Sequence, residues 1–350
     1  MSPDRDGTAN IHNKRGAAAM VAQVAAKVAE WQPVVERYAR LGNRHLAGRV
    51  VLLCGLFGVF LLAALRFGAE PLPRSAWQEL GLASEAPALR RIYVRDAENL
   101  VRIFADSGYR LEAVKNGAPV PRLSVTALPR DMEAVSDSEA RKRLFLRTLL
   151  PLVLQVNAEL RQARAKVIAA LDARAAGRLG ATDALWLDSV AEWYGAAPGD
   201  AADLLSRIDA VPPSLALAQA AQESGWGTSR FALRANALFG QRSWGDDAEG
   251  LRPAAAARRD FKVRGFPDLM SAVRAYLHNL NSHRAYQDLR QRRARARALG
   301  TPLHALNLVG GLKSYSEEGQ SYVLALSELI TSNGLQALDG AKLGKLAPGQ

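Results

Sequence analysis

The chain has 350 residues, 49% hydrophobic and 23% charged, the composition of a folded protein with room for one large or two ordinary domains plus flanking segments. A net charge of +12 and an isoelectric point near 10.1 favour an anionic partner, whether nucleic acid, lipid head groups or an acidic polymer. No nucleic-acid-binding signature is present, the single cysteine (Cys54) excludes an internal disulfide, and the histidines lack zinc-ligand spacing, so nucleic acid, metal and cofactor are not expected.

Residues 1–49 are polar, alanine-rich and basic, with a possible amphipathic helix over Met20–Leu41 interrupted near Pro33. Val50–Leu65 (VVLLCGLFGVFLLAAL) is an uncharged apolar run flanked by Arg49 and Arg66. A spanning helix needs about 20 such residues with a floor of about 17, and flanking arginines extend the effective length by snorkelling. A buried core helix or a signal-peptide core are the other readings; the long leader and the missing small-residue cleavage site favour an uncleaved anchor. Lys14, Arg15, Lys27, Arg37, Arg40, Arg44 and Arg49 precede it, so the expected N-terminus is cytoplasmic and everything after Arg66 would face the periplasm or the outside.

Glu70–Pro87 carries three prolines and reads as a linker. Between Leu89 and Val125 the pattern predicts one short helix, Ala97–Asp106, with extended pieces around it. Asp137–Arg174 is helical by period, with Leu144, Leu149, Leu152, Val156, Leu160, Val167 and Leu171 on the apolar stripe and Pro151 as a possible kink. Helices follow over Ala181–Tyr194 and Ala201–Ile208. Ser214 is expected to cap the next one, which ends near Glu223. Gln241–Phe266 loses helical period and suggests a β-hairpin lobe or a loop. Asp268 caps a helix with Leu269, Val273, Tyr276, Leu277 and Leu280 on one face. Arg290–Arg297 reads as a solvated basic face, and a last helix covers Glu317–Asn333. The tail beyond is expected to be disordered.

The chemistry concentrates in QESGWGTS, Gln222–Ser229, directly after the apolar run SLALAQAA. A carboxylate at the lip of an apolar wall gains proton affinity and becomes a candidate general acid. Cleaving a glycosidic bond requires such an acid to protonate a poor leaving group. Gly225 and Gly227 would let a bulky polymer approach, and Trp226 would pack under the site or against a sugar ring. A solvated helix-end charge followed by a turn is the alternative. His278 and His283 are read as structural, and Tyr276, Tyr286 and Tyr322 as core.

This segment resembles the hallmark of the glucosaminidase family of cell-wall hydrolases, glycoside hydrolase family 73, in which an alanine-rich helix ends in ESGWGTS. FALRANALFG (Phe231–Gly240) is similar to a second family element. VRAYLHNLNSHRAYQDLR (Val273–Arg290), YSEEGQSYVLALSELI (Tyr315–Ile330) and the lead-in pieces LPRDM and RKRLFLRTLLPLVLQVNAEL resemble the Bax-type subfamily. The resemblance covers about Ala88–Asn333. It implies a mainly α (α+β) fold: a lysozyme-like helical catalytic domain with a small β-hairpin lobe, preceded by a single transmembrane helix and a helical lead-in. The implied activity is hydrolysis of the β-1,4 bond from N-acetylglucosamine to N-acetylmuramic acid in peptidoglycan.

By the same resemblance Glu223 matches the general acid and Tyr315 a tyrosine lining the cleft. Trp226, Ser224, Asn236, Phe239 and Gly240 match positions that shape the cleft or touch substrate. The family often uses a second carboxylate in the hairpin lobe, where this chain has Lys262; Asp260 is the candidate base, with Asp246, Asp247 and Glu249 nearby. The implied organisation is a cytoplasmic segment 1–49, an anchor 50–66 in the inner membrane, a linker 67–88, a lead-in 89–200, a catalytic domain 201–335 and a disordered tail 336–350. Two other readings stand beside it: a lytic transglycosylase on the same fold, and a degenerate domain that binds cell wall or scaffolds partners.

Overall fold

The computed structural model describes Leu80, residues 89–244 and residues 261–345. The chain divides into two units, Met1–Pro71 and Leu72–Gln350, of which the first lies outside the described residues. The expected cytoplasmic segment, the anchor at 50–66 and the linker apart from Leu80 therefore lie outside them too. Among the described residues no helix is long and apolar enough to cross a membrane.

The second unit is mainly helical. Strand β1, Arg90–Ile92, pairs in parallel with β2, Leu123–Val125. Between them run α1, Ala97–Asp106, and α2, Leu111–Lys115. Asp96 caps α1 by accepting from the Asn99 N–H, and Leu100 and Phe104 turn inward. Extended chain was expected at α2. Its five residues coil instead because burying Leu111 and Val114 against neighbouring elements outweighs weak local signals.

The central element is α3, Ser138–Ala175, 38 residues capped by Asp137. Every predicted stripe residue from Leu144 to Val167 is buried. In the N-terminal half Leu149, Leu150, Leu152, Val153 and Leu154 bury the helix all round, as expected of a helix enclosed by others. Pro151 forfeits one i→i−4 bond, yet the helix continues through it. Helices α4, Ala181–Tyr194, and α5, Ala201–Arg207, pack on α3, followed by α6, Pro213–Ser224, and α7, Arg230–Ala235. An antiparallel pair comes next, β3, Arg242–Trp244, with β4, Phe261–Val263. The hairpin expected here is thus present at its base, while 245–260 lie outside the described residues. Helices α8, Leu269–Ser282, α9, Gln287–Ala298, α10, Ala305–Leu308, and α11, Gln320–Ser332, complete the chain, and α3 packs against both α6 and α8. One hydrophobic cluster runs from Leu89 to Leu338, so the lead-in and the region expected to be catalytic share a core.

Three expectations are corrected. Ser214 does not cap α6: Pro212 holds the cap position, Pro213 starts the helix, and the Ser214 side chain is fully buried within it. The proline pair presets the starting φ, and the cap acceptor arrives from far away, Asp339 Oδ1 taking the Ser214 N–H at 2.8 Å. Residues 336–345 are not disordered. Leu335–Leu338 form a 3-10 turn, the Val120 N–H donates to the Lys342 carbonyl at 2.8 Å, and the Gly344 N–H donates to the Val120 carbonyl at 2.8 Å. Nor is Arg290–Arg297 a wholly solvated face. Arg293 is fully buried and donates to the carbonyls of Ser206, Arg207, Asp209 and Ala210 and to Asn281 Oδ1. Arg290 is also buried, and Arg297 forms a bidentate pair with Asp209 at 2.9 and 2.8 Å. Five planar donors let a guanidinium gather the carbonyls that end α5, which a solvated helix face would leave to water.

Candidate active site

Helix α6 is apolar on nearly every side, because Leu215, Ala216, Leu217, Ala218, Ala220 and Ala221 are all buried. Such a helix is fixed by its surroundings, and the polar residues in its last turn are held at defined depth. It stops at Ser224, after which Gly225, Trp226 and Gly227 all adopt left-handed φ, at 57°, 57° and 80°. At Gly227 a Cβ would lie 2.8 Å from Phe145 and 2.9 Å from Leu128, so glycine is required for contact as well as for φ. Ser224, expected to touch substrate, does not face a cleft. It is fully buried, its Oγ donating to the Ala220 carbonyl at 2.6 Å and accepting the Gly227 N–H at 2.9 Å, so it fastens the turn. Trp226 packs edge-on against Phe145, ring centroids 5.9 Å apart, with Lys142 Nζ 5.4 Å from its ring.

Glu223 stands half-buried at the end of this wall. Its Oε1 accepts from the Tyr322 hydroxyl at 2.9 Å. Tyr322 in turn accepts from Gln219 Nε2 at 3.0 Å, and Gln219 Oε1 accepts from the Tyr276 hydroxyl at 2.5 Å. Oε2 lies on the other side, next to exposed Gly240, where an added Cβ would be 3.3 Å from it. Burial raises the Glu223 carboxyl above its ordinary value; the Tyr322 hydrogen bond opposes this and the charge of Glu318 adds to it. The group is therefore biased toward holding a proton, as a general acid must.

Aromatic rings frame the carboxyl. Tyr315 stacks on Tyr322 at 5.5 Å and 8°, tilts against Tyr286 at 5.8 Å, and donates its hydroxyl to the Phe239 carbonyl at 2.8 Å. Its hydroxyl is thus spent on the backbone, and the hydroxyl that touches Glu223 belongs to Tyr322. Phe239 is buried and stacks on Tyr276, centroids 3.8 Å apart. Asn236, in left-handed conformation at the end of α7, spends its amide on the Phe266 carbonyl at 3.0 Å and so ties α7 to the chain beyond β4. Gly240, which is exposed, is the position that lies beside the carboxylate.

Asp260 lies outside the described residues, as do Asp246, Asp247 and Glu249. Lys262 sits in β4 opposite Ser243. Among the described residues, the carboxylate whose charge acts on Glu223 is Glu318. His278 and His283 keep to structural roles: His278 stacks on Trp193 at 4.4 Å, and His283 Nδ1 accepts the Ala285 N–H. Among the described residues no group of three or more His, Cys, Asp or Glu side chains is placed to hold a metal ion.

Sequence reasoning missed Gln219, Tyr322 and Glu318. One signal was available: Gln219 lies four residues before Glu223, so both share a helix face.

The family described as mannosyl-glycoprotein endo-beta-N-acetylglucosaminidase, or glucosaminidase, matches residues 199–333. That span contains α6, the glycine turn, the β3–β4 pair and all four tyrosines around Glu223. Protein bax of Escherichia coli strain K12 is 31% identical over 208 residues, a match that covers 56% of this chain and 71% of the relative. No solved structure matches the chain significantly. A buried alanine-rich helix that ends in a glutamate bonded to Tyr322, within the matched span, accords with these similarities: the chain belongs to the Bax-like glucosaminidase-domain proteins.

Proposed function

We propose that the protein hydrolyses the β-1,4 bond between N-acetylglucosamine and N-acetylmuramic acid in peptidoglycan, with Glu223 as general acid. Membership of the family supports a peptidoglycan-related glycosidase function at the coarser level. The observation that carries the finer reading is the Glu223 carboxyl, half-buried at the end of α6, raised by burial, with Oε2 beside exposed Gly240. A neutral carboxylic acid there delivers its proton to the glycosidic oxygen as the bond to the sugar carbon lengthens, and the carboxylate left behind is steadied by the Tyr322 hydroxyl. In this proposal Tyr315, Asn236, Phe239 and Gly240 shape the cleft, and Trp226 braces the turn from below. Asp260 is the proposed base; Glu318, which already acts on Glu223, is the alternative, and assistance from the substrate's own N-acetyl group is the route that needs neither. Anchoring by residues 50–66 with the catalytic unit in the periplasm completes the proposal and accounts for a +12 protein facing an anionic wall polymer.

The test is digestion of purified peptidoglycan by the full-length protein beside Glu223→Gln, with mass spectrometry of the released ends. Reducing N-acetylglucosamine ends that disappear in the variant are expected. Anhydro-muramic ends would move the protein to the lytic transglycosylases. Wall binding without release, unchanged by Glu223→Gln, would mark a scaffold.

A further inference from the structure

The line of hydrogen bonds behind Glu223 has a direction. Gln219 is completely buried and its two amide ends differ: the carbonyl takes the Tyr276 hydroxyl at 2.5 Å, and the NH2 group faces the Tyr322 oxygen at 3.0 Å. A phenol carries one hydrogen. With a lone pair of Tyr322 occupied by the Gln219 N–H, its hydrogen points at Glu223 Oε1, 2.9 Å away. Oε1 is then an acceptor, and a proton added to Glu223 goes to Oε2, the oxygen beside exposed Gly240. The far end is fixed as well, since the Tyr276 ring stacks on Phe239 at 3.8 Å and 5°.

We infer that Gln219, anchored by Tyr276, is a positioning residue: it sets the polarity of the Tyr322 hydroxyl and thereby confines the transferable proton of Glu223 to Oε2, facing the cleft. This inference rests on Glu223 being the acid of the proposed reaction. Neither Gln219 nor Tyr276 touches substrate in this scheme; each acts through Tyr322. The groups facing Glu223 are Tyr322 on α11, Glu318 and Tyr315 ahead of it, Tyr286 before α9, and Tyr276 on α8. Burial holds the four tyrosines above their ordinary values, so they keep their protons while Glu223 titrates.

The scheme predicts a sign. Without the Gln219 N–H, the Tyr322 oxygen becomes free to accept from Oε1–H, which stabilises neutral Glu223 and places its proton away from the cleft. Losing the Tyr276 hydroxyl has the same consequence, because the Gln219 amide can then turn its carbonyl toward Tyr322. The experiment is NMR titration of full-length protein with 13C-labelled glutamate, Glu223 being assigned by difference from Glu223→Gln, in Gln219→Met and Tyr276→Phe. Release of sugar from peptidoglycan is followed in parallel. Tyr276→Phe removes one oxygen and keeps the ring stack, so it serves if Gln219→Met does not fold. The titration midpoint is expected to rise by about 0.5 pH or more, roughly the worth of one hydrogen bond. kcat is expected to fall on the order of tenfold with KM unchanged. An unmoved midpoint in a folded variant overturns the relay. A moved midpoint with unaltered kcat overturns its role in positioning the acid. If the unaltered protein releases no sugar, the proposed function fails, and the midpoints alone still decide whether Gln219 sets the polarity.

Discussion

At the residue scale, the turn after Glu223 separates two glycines that look alike in sequence. Gly225 and Gly227 both have positive φ, but a Cβ on Gly225 meets only the Thr228 hydroxyl, at 3.2 Å, whereas on Gly227 it collides with Phe145 and Leu128. Phe145 belongs to the buried face of α3 and has no room to yield. Gly225→Ala is therefore expected to cost about 1 kcal/mol, the ordinary penalty for left-handed alanine. Gly227→Ala adds overpacking and is expected to cost about 2–4 kcal/mol. Urea unfolding of the two variants checks the order. Because the Gly227 N–H also holds Ser224 Oγ, a displaced Gly227 loosens the last turn of α6, and the same variant should lose sugar release more than its lost stability explains. Trp226, held between the two at φ 57°, is a bulky residue in a conformation that costs about 1 kcal/mol, maintained by Phe145 on its ring edge and by its N–H to the Ala221 carbonyl at 2.9 Å.

At the element scale, the placement of α6 depends on a residue 125 positions away in sequence. Asp339 supplies an acceptor and a negative charge to the N-terminus of a helix whose own first residues, Pro213 and Ser214, offer none. Asp339→Ala is expected to lower stability by about 1–2 kcal/mol, with Asp339→Asn in between, measured by denaturant midpoint at unchanged slope. Local pattern made α1, α3, α4 and α8 legible beforehand, and Asp268 announced the start of α8, whereas the caps Asp96 and Asp137 emerge only in the structure. Glu223 was legible for a similar reason, as one acidic residue closing an apolar run. What stayed hidden depends on partners distant in the chain. The Asp339 cap, the pairing of Val120 with Lys342 and Gly344, and the Tyr322 hydroxyl on Glu223 have no local signature. Ser224 was assigned to substrate through the resemblance, whereas its burial follows from the helix it ends.

At the scale of the whole molecule, two buried titratable groups make stability depend on pH, each over its own range. His278, stacked on Trp193 and tilted against Tyr194, is held well below its ordinary value, at about 4, first by burial and then by the charge of Arg264. A histidine with a lowered folded value takes up its proton in the unfolded chain first, so stability falls as pH drops below about 6.5 and levels off near 4. Asp209 behaves differently. Burial by itself would raise its carboxyl, but the Arg297 hydrogen bond and the charges of Arg293, Arg297 and Arg164 outweigh burial and hold it below the ordinary range. A depressed carboxylate stabilises fully above its unfolded value of about 4, and that stability is lost as pH falls further through the folded value. Acidification is thus expected to weaken the fold in two successive steps. Between pH 6.5 and pH 5 the loss due to His278 should amount to about 1–2 kcal/mol, and His278→Phe should remove most of it, since an aromatic ring keeps the stack on Trp193 without a proton to bind. Below pH 4 the Asp209 cluster takes over. Asp209 joins α9, through Arg293 and Arg297, to the chain that follows α5, while Arg164 on α3 bonds the carbonyls of Leu205 and Ile208, so protonation there loosens three helices at once. Asp209→Asn at neutral pH should reproduce that second step, costing about 3–5 kcal/mol by leaving the buried Arg293 guanidinium without its counter-charge, while the His278 step remains intact in urea unfolding at pH 7 and pH 5.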